Sequence, residues 1–400
     1  VTKDSLNRSE SLFPRFEPPP RLLLGPGPSP VEPRILEALS RPVLGHLDPA
    51  FLRCMDEIQW MLRELFETAN RVTFPISGTG SAGMEAALVN VIEPGDKVVV
   101  CIHGIFGERM CDIVERAGAI PIAIRTEWGQ PTDKGRIAAA LDSQEAAAVA
   151  IVHAETSTGV LQDLTGLSDL AHSKGALLIV DAVTSLGGHP VGVDRNGIDI
   201  CYSGTQKCLG APPGLAPITF SERAIERFNA RRAKAPSWYL DVGMVERYWG
   251  GDRAYHHTAP ISMNYGLHEA LRLILEEGLE ARWRRHELNH RALVAGLAAM
   301  GLEMLVAPEF RLWSLNAVRV PEGVDDGRVR ARLLNDSHIE IGGGLGSLKG
   351  RIWRIGLMGS GSTRENVMRA LEALRRALES EGHPCRSGGE GAESVYRTAK

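Results

Sequence analysis

Few residue classes are over-represented in this chain of 400 residues, and each shortage removes a class of protein. The six cysteines are Cys54, Cys101, Cys111, Cys201, Cys208 and Cys385; they contain no C-x-x-C pair and no zinc-type spacing. They read as free, buried thiols of a reducing compartment rather than as a disulfide framework. No apolar run is long enough to span a bilayer, and the opening VTKDSLNRSE has no apolar signal core. The expectation is a soluble, cytoplasmic protein with no membrane partner. The C-terminal RTAK is not an S-K-L type signal, which leaves the peroxisome open. Excess charge of one sign is also missing: 45 basic residues face 49 acidic ones, a net charge of −4. That balance gives no electrostatic case for a nucleic acid partner. No internal repeat is present.

What the chain has is apolar content, 44% of its residues, enough for one large and one smaller domain. Residues 1–18 are polar and aperiodic and read as a flexible arm. Residues 381–400 are rich in Gly, Ser and charge and read as a disordered tail. Between them, KVVVCI (97–102), IPIAI (120–124), AAVAIVH (147–153), ALLIVDA (176–182) and DICY form apolar strands. Helical patterns separate them, through ERMCDIVERAG and LTGLSDLAHSKG. Strands that are apolar on both faces, alternating with helices, imply an α/β fold with a parallel sheet covered on both sides. Right-handed crossovers then gather the loops at the carboxyl edge, where such sheets bind ligands. The character changes after residue 265. One long helical pattern ends at Gly301, short strands follow at LWSLNAVRV and RIWRIGL, and a last helix starts near Thr363. The expected division is a large domain over 19–265 and a smaller α+β domain over 266–380.

Three junctions at that carboxyl edge carry unusual residues. In SGTGSAGMEAAL (77–88), small residues run straight into a helix whose free N–H groups and dipole favour an anion, typically phosphate. No G-K-[ST] follows, so it is not a P-loop, and the G-x-G-x-x-G match lacks an acidic ribose ligand at the right distance. The bland reading is a tight turn. In LLIVDAVTSLGG, Asp181 ends an apolar strand, where a carboxylate is costly to desolvate unless a cation or donors meet it. A plain turn-capping Asp is the alternative. In SGTQKCLGAPPG, Lys207 lies one crossover beyond Asp181; alone it reads as surface, but a desolvated lysine can form Schiff bases. Together, a phosphate cradle, a buried carboxylate and a lysine are the parts that hold pyridoxal 5'-phosphate. The phosphate would sit on the helix N-terminus, Asp181 on the pyridinium nitrogen, and Lys207 on the aldehyde carbon.

With those motifs in place, the chain resembles a known family. LLLGPGPSPV, SGTGSAGMEAALVN, ETSTGVLQDL, VDAVTSLGG, SGTQKCLGAPPGLA, YHHTAP and RIGLMG, in that order, are similar to the class V aminotransferases of fold type I. The nearest resemblance is to the alanine–glyoxylate and serine–pyruvate subgroup, over roughly residues 20–380. The resemblance implies a large domain with a mostly parallel seven-stranded sheet and a smaller C-terminal domain. It implies Lys207 as the Schiff-base lysine and Asp181 as the pyridinium partner. Thr156 falls where a hydroxyl meets the cofactor's ring oxygen, and Gly80, Ser81 and Gln206 fall at phosphate contacts. Phe106 matches the aromatic that stacks on the ring, and Arg354 the arginine that binds the substrate carboxylate. Gly25 to Gly27, with Gly45 and His46, match loops that narrow the substrate pocket. Tyr255 and Thr258 match a segment that reaches the neighbouring subunit's site, which implies a homodimer with shared sites. Several relatives have Trp at the position of Phe106 and His at that of Ser81. Phe still offers a stacking face and Ser still offers donors. Read without the resemblance, Phe106 is core packing, Arg354 a structural ion pair and Cys208 a packing neighbour.

The implied activity is a ping-pong transamination, in which Lys207 acts as general base and then acid. No obvious second arginine is available for a distal carboxylate, so small amino acids (alanine, serine) and small 2-oxo acids (glyoxylate, pyruvate) fit best. Rival readings are another reaction of the same cofactor (pyridoxamine–pyruvate transaminase, lyase or desulfurase), a nucleotide-binding oxidoreductase, and a non-catalytic cofactor-binding regulator. No metal site is expected; Tyr255, His256 and His257 are adjacent, so their side chains diverge.

Overall fold

The apolar runs between residues 72 and 220 assemble into one sheet in a computed structural model that describes residues 15–399. Its strands are β1 (Val72–Ser77), β2 (Lys97–Ile102), β3 (Ile120–Arg125), β4 (Ala148–Val152), β5 (Leu177–Asp181), β6 (Ile200–Tyr202) and β7 (Leu215–Phe220). The spatial order of the seven is β1-β7-β6-β5-β4-β2-β3. β2 through β6 pair in parallel, and β7 runs antiparallel to both of its neighbours. Every residue of the central strands β4 and β5 is buried, which is why AVAIV and LLIVD are apolar without alternation.

β1 and β7 were not among the strands expected from the sequence. Pro75 and Pro217 face each other across their ladder, and a proline inside a run argues against a strand when only the pattern is visible. The helices that matter for the site are α1 (Gly80–Val89), entered from β1, and α2 (Ile105–Arg116), entered from β2.

The single long helix expected after residue 265 is two helices, α3 (Ile261–Glu277) and α4 (Leu279–Ala299). Gly278, at φ +81°, breaks them apart in a conformation that suits glycine. Leu267, Leu271 and Ile274 of α3 join the core of the large sheet. Leu293 and Leu297 of α4 join a second core. The change of core therefore falls at Gly278, later than the expected boundary at 265. The second core also covers a three-stranded antiparallel sheet, β8 (Leu315–Arg319), β9 (Gly342–Gly343) and β10 (Ile352–Gly356), ordered β8-β10-β9. Leu22–Leu23 pairs in parallel with Ile339–Glu340, and Leu24 lies in this second core, so the segment expected to open the large domain packs with the small one.

Helix α5 (Arg364–Ser380) begins where expected, with the Thr363 hydroxyl accepting from the Asn366 N–H at 3.1 Å. The tail is a correction. Residues expected to be disordered form α6 (Gly389–Thr398), which packs on α4 and α5. Its glycines are there for close approach: a Cβ on Gly391 would lie 2.6 Å from the Ala295 carbonyl oxygen. Ala392 is fully buried, and the Tyr396 hydroxyl donates to Asn289 Oδ1 at 2.8 Å. The N-terminal arm expected over 1–18 lies mostly outside the described residues.

The buried tail gives a stability prediction. Tyr396→Phe leaves Asn289 Oδ1 without its donor and should cost about 1 kcal/mol. Ending the chain before Gly388 should lower the melting temperature further. Thermal unfolding of both variants checks this; two unchanged melting curves would show that α6 contributes nothing.

Candidate active site

Asp181 is the last residue of β5 and is only 2% exposed. The Val183 N–H donates to Oδ1 at 2.8 Å, and the Tyr202 hydroxyl, from the end of β6, donates to Oδ2 at 2.9 Å. Burial pushes the carboxyl up to about 7, against the lowering effect of those two donors. Nothing cationic bonds to it among the described residues, so it is a carboxylate position that a positive partner would complete.

Above it, the turn into α1 is open. Thr79 precedes the helix in an extended conformation, and its side chain does not cap. Its carbonyl accepts from the N–H groups of Ala82 and Gly83, at 2.8 and 3.4 Å. The N–H groups of Gly80 and Ser81 bond to no protein atom among the described residues, and the Ser81 side chain is exposed. The turn is also pressed against the loop after β6. A Cβ on Gly204 would lie 3.4 Å from Gly80 Cα and 2.9 Å from Gln206 Oε1. That buried Gln206 oxygen has no partner. Unpaired N–H groups at a helix start are what an anionic group would satisfy, and the Gln206 amide, with its oxygen unbonded, is free to turn its NH2 group to the same anion.

Lys207 follows Gln206 on the same loop and is half-buried. Its amine donates to the Pro26 carbonyl, and its own carbonyl accepts from Ser29 Oγ at 2.7 Å. Burial, helped by the Arg354 charge, pushes the amine down to about 8. Gly27, at φ +105°, makes the room: a Cβ there would stand 2.6 Å from Lys207 Nζ. Arg354, in β10, is 7% exposed. Its Nε donates to the Gly343 carbonyl at 2.7 Å and its Nη1 to the Thr156 carbonyl at 3.2 Å, leaving Nη2 with no protein partner among the described residues. Burial pulls this guanidinium down to about 10. The buried Thr156 hydroxyl likewise bonds to no protein atom among the described residues. Phe106 stands in the first turn of α2, half-buried, with the Arg109 guanidinium 4.8 Å from its ring centroid.

Two expected residues stay apart from this group in the single chain. Tyr255 is 60% exposed, with its ring centroid 4.9 Å from that of His46, and Thr258 is exposed. His257, between them, bonds Ser77 Oγ at 2.7 Å, which ties the segment to the end of β1. Among the described residues no cluster suited to a metal ion occurs.

Sequence reasoning missed Glu155, which is fully buried. Its Oε1 accepts from the Ser157 N–H at 2.9 Å and the Ser157 hydroxyl at 2.6 Å, and its Oε2 from the Phe106 N–H at 3.3 Å. The Ile105 N–H donates to Ser157 Oγ at 3.0 Å. Glu155 thereby pins the start of α2, and with it Phe106. Burial raises its carboxyl, and the Arg354 charge lowers it. The only signal was indirect: Gly104, where a Cβ would fall 2.3 Å from Glu155 Cδ.

The mostly parallel sheet, with a lysine, a buried carboxylate and an uncapped helix start at one edge, defines a fold type I pyridoxal phosphate enzyme. The model of the family described as aminotransferase class-V matches residues 38–368. A solved alanine–glyoxylate aminotransferase from Nostoc sp. is 48% identical, with TM-score 0.91 over 92% of this chain and 97% of that one. A ureidoglycine–glyoxylate aminotransferase from Bacillus subtilis is 42% identical, with TM-score 0.94 over 96% of this chain and 100% of the other. A pyridoxamine–pyruvate aminotransferase from Mesorhizobium loti is 31% identical, with TM-score 0.91 over 97% and 100%. The chain belongs to the class V aminotransferases and is a pyridoxal phosphate-dependent transaminase.

The raised carboxyl of Asp181 sets a pH dependence in the cofactor-free protein. A carboxyl held above its ordinary 3.8 stabilises the fold while protonated, and that contribution is lost as pH rises through about 7. Asp181→Asn keeps a neutral, hydrogen-bonding side chain. Without cofactor it should melt several degrees above the wild type at pH 8, with the gap closing toward pH 4. Melting curves at the two pH values check this; a gap that is constant with pH would contradict the assignment.

Proposed function

We propose that this chain moves the amino group of a small neutral amino acid, alanine or serine, to a small 2-oxo acid, glyoxylate first and pyruvate second. The carrying observation is Arg354: one buried guanidinium beside Lys207, with one nitrogen free, suits a single carboxylate and a short side chain. The names of the Nostoc and B. subtilis relatives share glyoxylate, which supports it as acceptor. They differ in the donor, and ureidoglycine is the second donor to test.

In this reading pyridoxal phosphate, when bound, supplies the electron sink. Gly80, Ser81 and Gln206 would hold its phosphate, Asp181 would keep its ring nitrogen protonated, Thr156 would offer its hydroxyl to the ring oxygen and Phe106 would pack on the ring. Gly27 walls the substrate pocket. Arg354 orients the carboxylate so that the Cα–H bond faces Lys207. Lys207 Nζ would be the base that takes that proton and the acid that gives it back. An amine held near 8 is part neutral at physiological pH, as a base requires.

Tyr255 and Thr258 act in the partner's site of a homodimer. The observation in favour is a patch of exposed aromatics, Trp238 at 61%, Tyr239 at 43% and Tyr255 at 60%, which association would cover. Cys208 does not favour a desulfurase. It is fully buried, its Sγ bonds the Thr184 carbonyl at 3.2 Å, and burial raises its thiol. The free thiols suit the cytoplasm. No helix among the described residues is long and apolar enough to cross a membrane.

Two variants test the roles. Lys207→Ala should lose the visible absorption of the loaded protein and reduce turnover by roughly 10³-fold or more. Arg354→Ala should raise KM for alanine by about ten- to a hundredfold, the worth of a charge-assisted pair. Full turnover in the first, or wild-type kinetics in the second, would remove the assigned role.

A further inference from the structure

Lys207 stands on a loop, and its reaction requires the amine to be held to within a fraction of an ångström. We propose that Arg282, in the first turn of α4, is the positioning residue for Lys207, acting through the carbonyl of Cys208. This rests on Lys207 being the reacting amine.

Arg282 is 6% exposed, and each of its three nitrogens has one partner. Nη2 donates to the Cys208 carbonyl at 2.7 Å, the first carbonyl after Lys207. Nε donates to the Gly187 carbonyl at 2.9 Å, on the loop that follows Asp181 and β5. Nη1 donates to Glu277 Oε2 at 2.7 Å. One planar group therefore fastens the lysine loop to the loop behind Asp181. It fixes the spacing between the two groups that must meet the same cofactor. The room for this is built in, since a Cβ on Gly188 would lie 2.5 Å from Cys208 Sγ.

The fork is itself held. Glu277 closes α3, on the far side of the Gly278 break, and also accepts from Arg285 Nε at 2.6 Å and Nη2 at 2.9 Å. Arg285 Nη1 donates to the carbonyls of Gly359 and Ser362, at 3.0 and 2.7 Å. The Arg282 carbonyl is bonded by His286 Nδ1 at 2.8 Å, and His286 Nε2 accepts from the Gly359 N–H at 3.1 Å. A lysine could supply a charge here but not a fork reaching two carbonyls and a carboxylate. Arg282 has no bond to Arg354 or to Thr156, so the carboxylate clamp does not depend on it.

The test compares Arg282→Gln, Arg282→Lys and Glu277→Gln with the wild type, each loaded with pyridoxal phosphate and assayed with alanine and glyoxylate. A second measurement, on cofactor-free protein, follows acylation of Lys207 by a lysine-directed reagent against pH, read by peptide mass. Arg282→Gln should lower kcat about ten- to a hundredfold while KM stays within about twofold. Its Lys207 acylation midpoint should move up from about 8 toward that of an ordinary lysine as the loop loosens. Arg282→Lys should recover little, and Glu277→Gln should move both readouts the same way by less. Thr73→Val, which removes a buried hydroxyl bond to Thr219 near the start of β1, away from this loop, should leave both unchanged. If Arg282→Gln only lowers the melting temperature, with kcat and the midpoint of the wild type, the proposal fails. If it does not fold, unchanged readouts in Glu277→Gln overturn the proposal. A failure of the premise looks different: Lys207→Ala would retain turnover.

Discussion

At the end of β5, a carboxylate is withdrawn from water with one hydrogen bond to each oxygen and no cation among the described residues. An ionised group in that position is costly, which is why burial raises the Asp181 carboxyl to about 7. The neighbouring geometry is arranged around it. Tyr202 is fully buried at the end of β6 to reach it, and Val183 turns its N–H back to it. Gly80 is small because the Val183 side chain lies 3.1 Å from where its Cβ would be. That close approach brings the open start of α1 over the same edge. A cofactor with a protonated nitrogen at one end and a phosphate at the other resolves both deficits at once, which neither a nucleotide nor a metal ion would do.

The two cores divide the chemistry. The large sheet supplies Asp181, the α1 turn and Lys207, and the small sheet supplies Arg354. The segment from Leu22 to Ser29 joins them. Leu24 donates to the Glu340 carbonyl at 2.9 Å on one side, and Ser29 donates to the Gln206 carbonyl at 2.9 Å on the other. Pro26, between them, receives the Lys207 amine. Under the proposed roles, the substrate carboxylate at Arg354 and the amine of Lys207 would meet in a space whose walls come from both cores.

Asp181 and Lys207 were legible only in combination: alone, each suits a turn cap or a solvated surface, but both at strand ends on one sheet edge, with an anion-type helix start, are the parts of one cofactor site. The G-rich start of α1 likewise reads as a tight turn until the other two stand beside it. What stayed hidden depends on contacts between distant segments. Glu155 and Arg282 look like ordinary charged residues until Gly104 and the Cys208 carbonyl are placed beside them. The break at Gly278 interrupts no helical periodicity, so α3 and α4 read as one. The glycines of the tail suggested flexibility, whereas Gly391 is small because α4 passes within contact distance. β1 and β7 were masked by the prolines they pair against each other.

The central claim is a two-step amino transfer in which this chain returns the proton it removes. The most direct measurement mixes the loaded protein with L-alanine and no acceptor, then counts products per subunit. The expected result is a single equivalent of pyruvate, with turnover resuming only when glyoxylate is added. Continuous keto acid release without an acceptor, or sulfide or free pyridoxal in its place, would contradict the account.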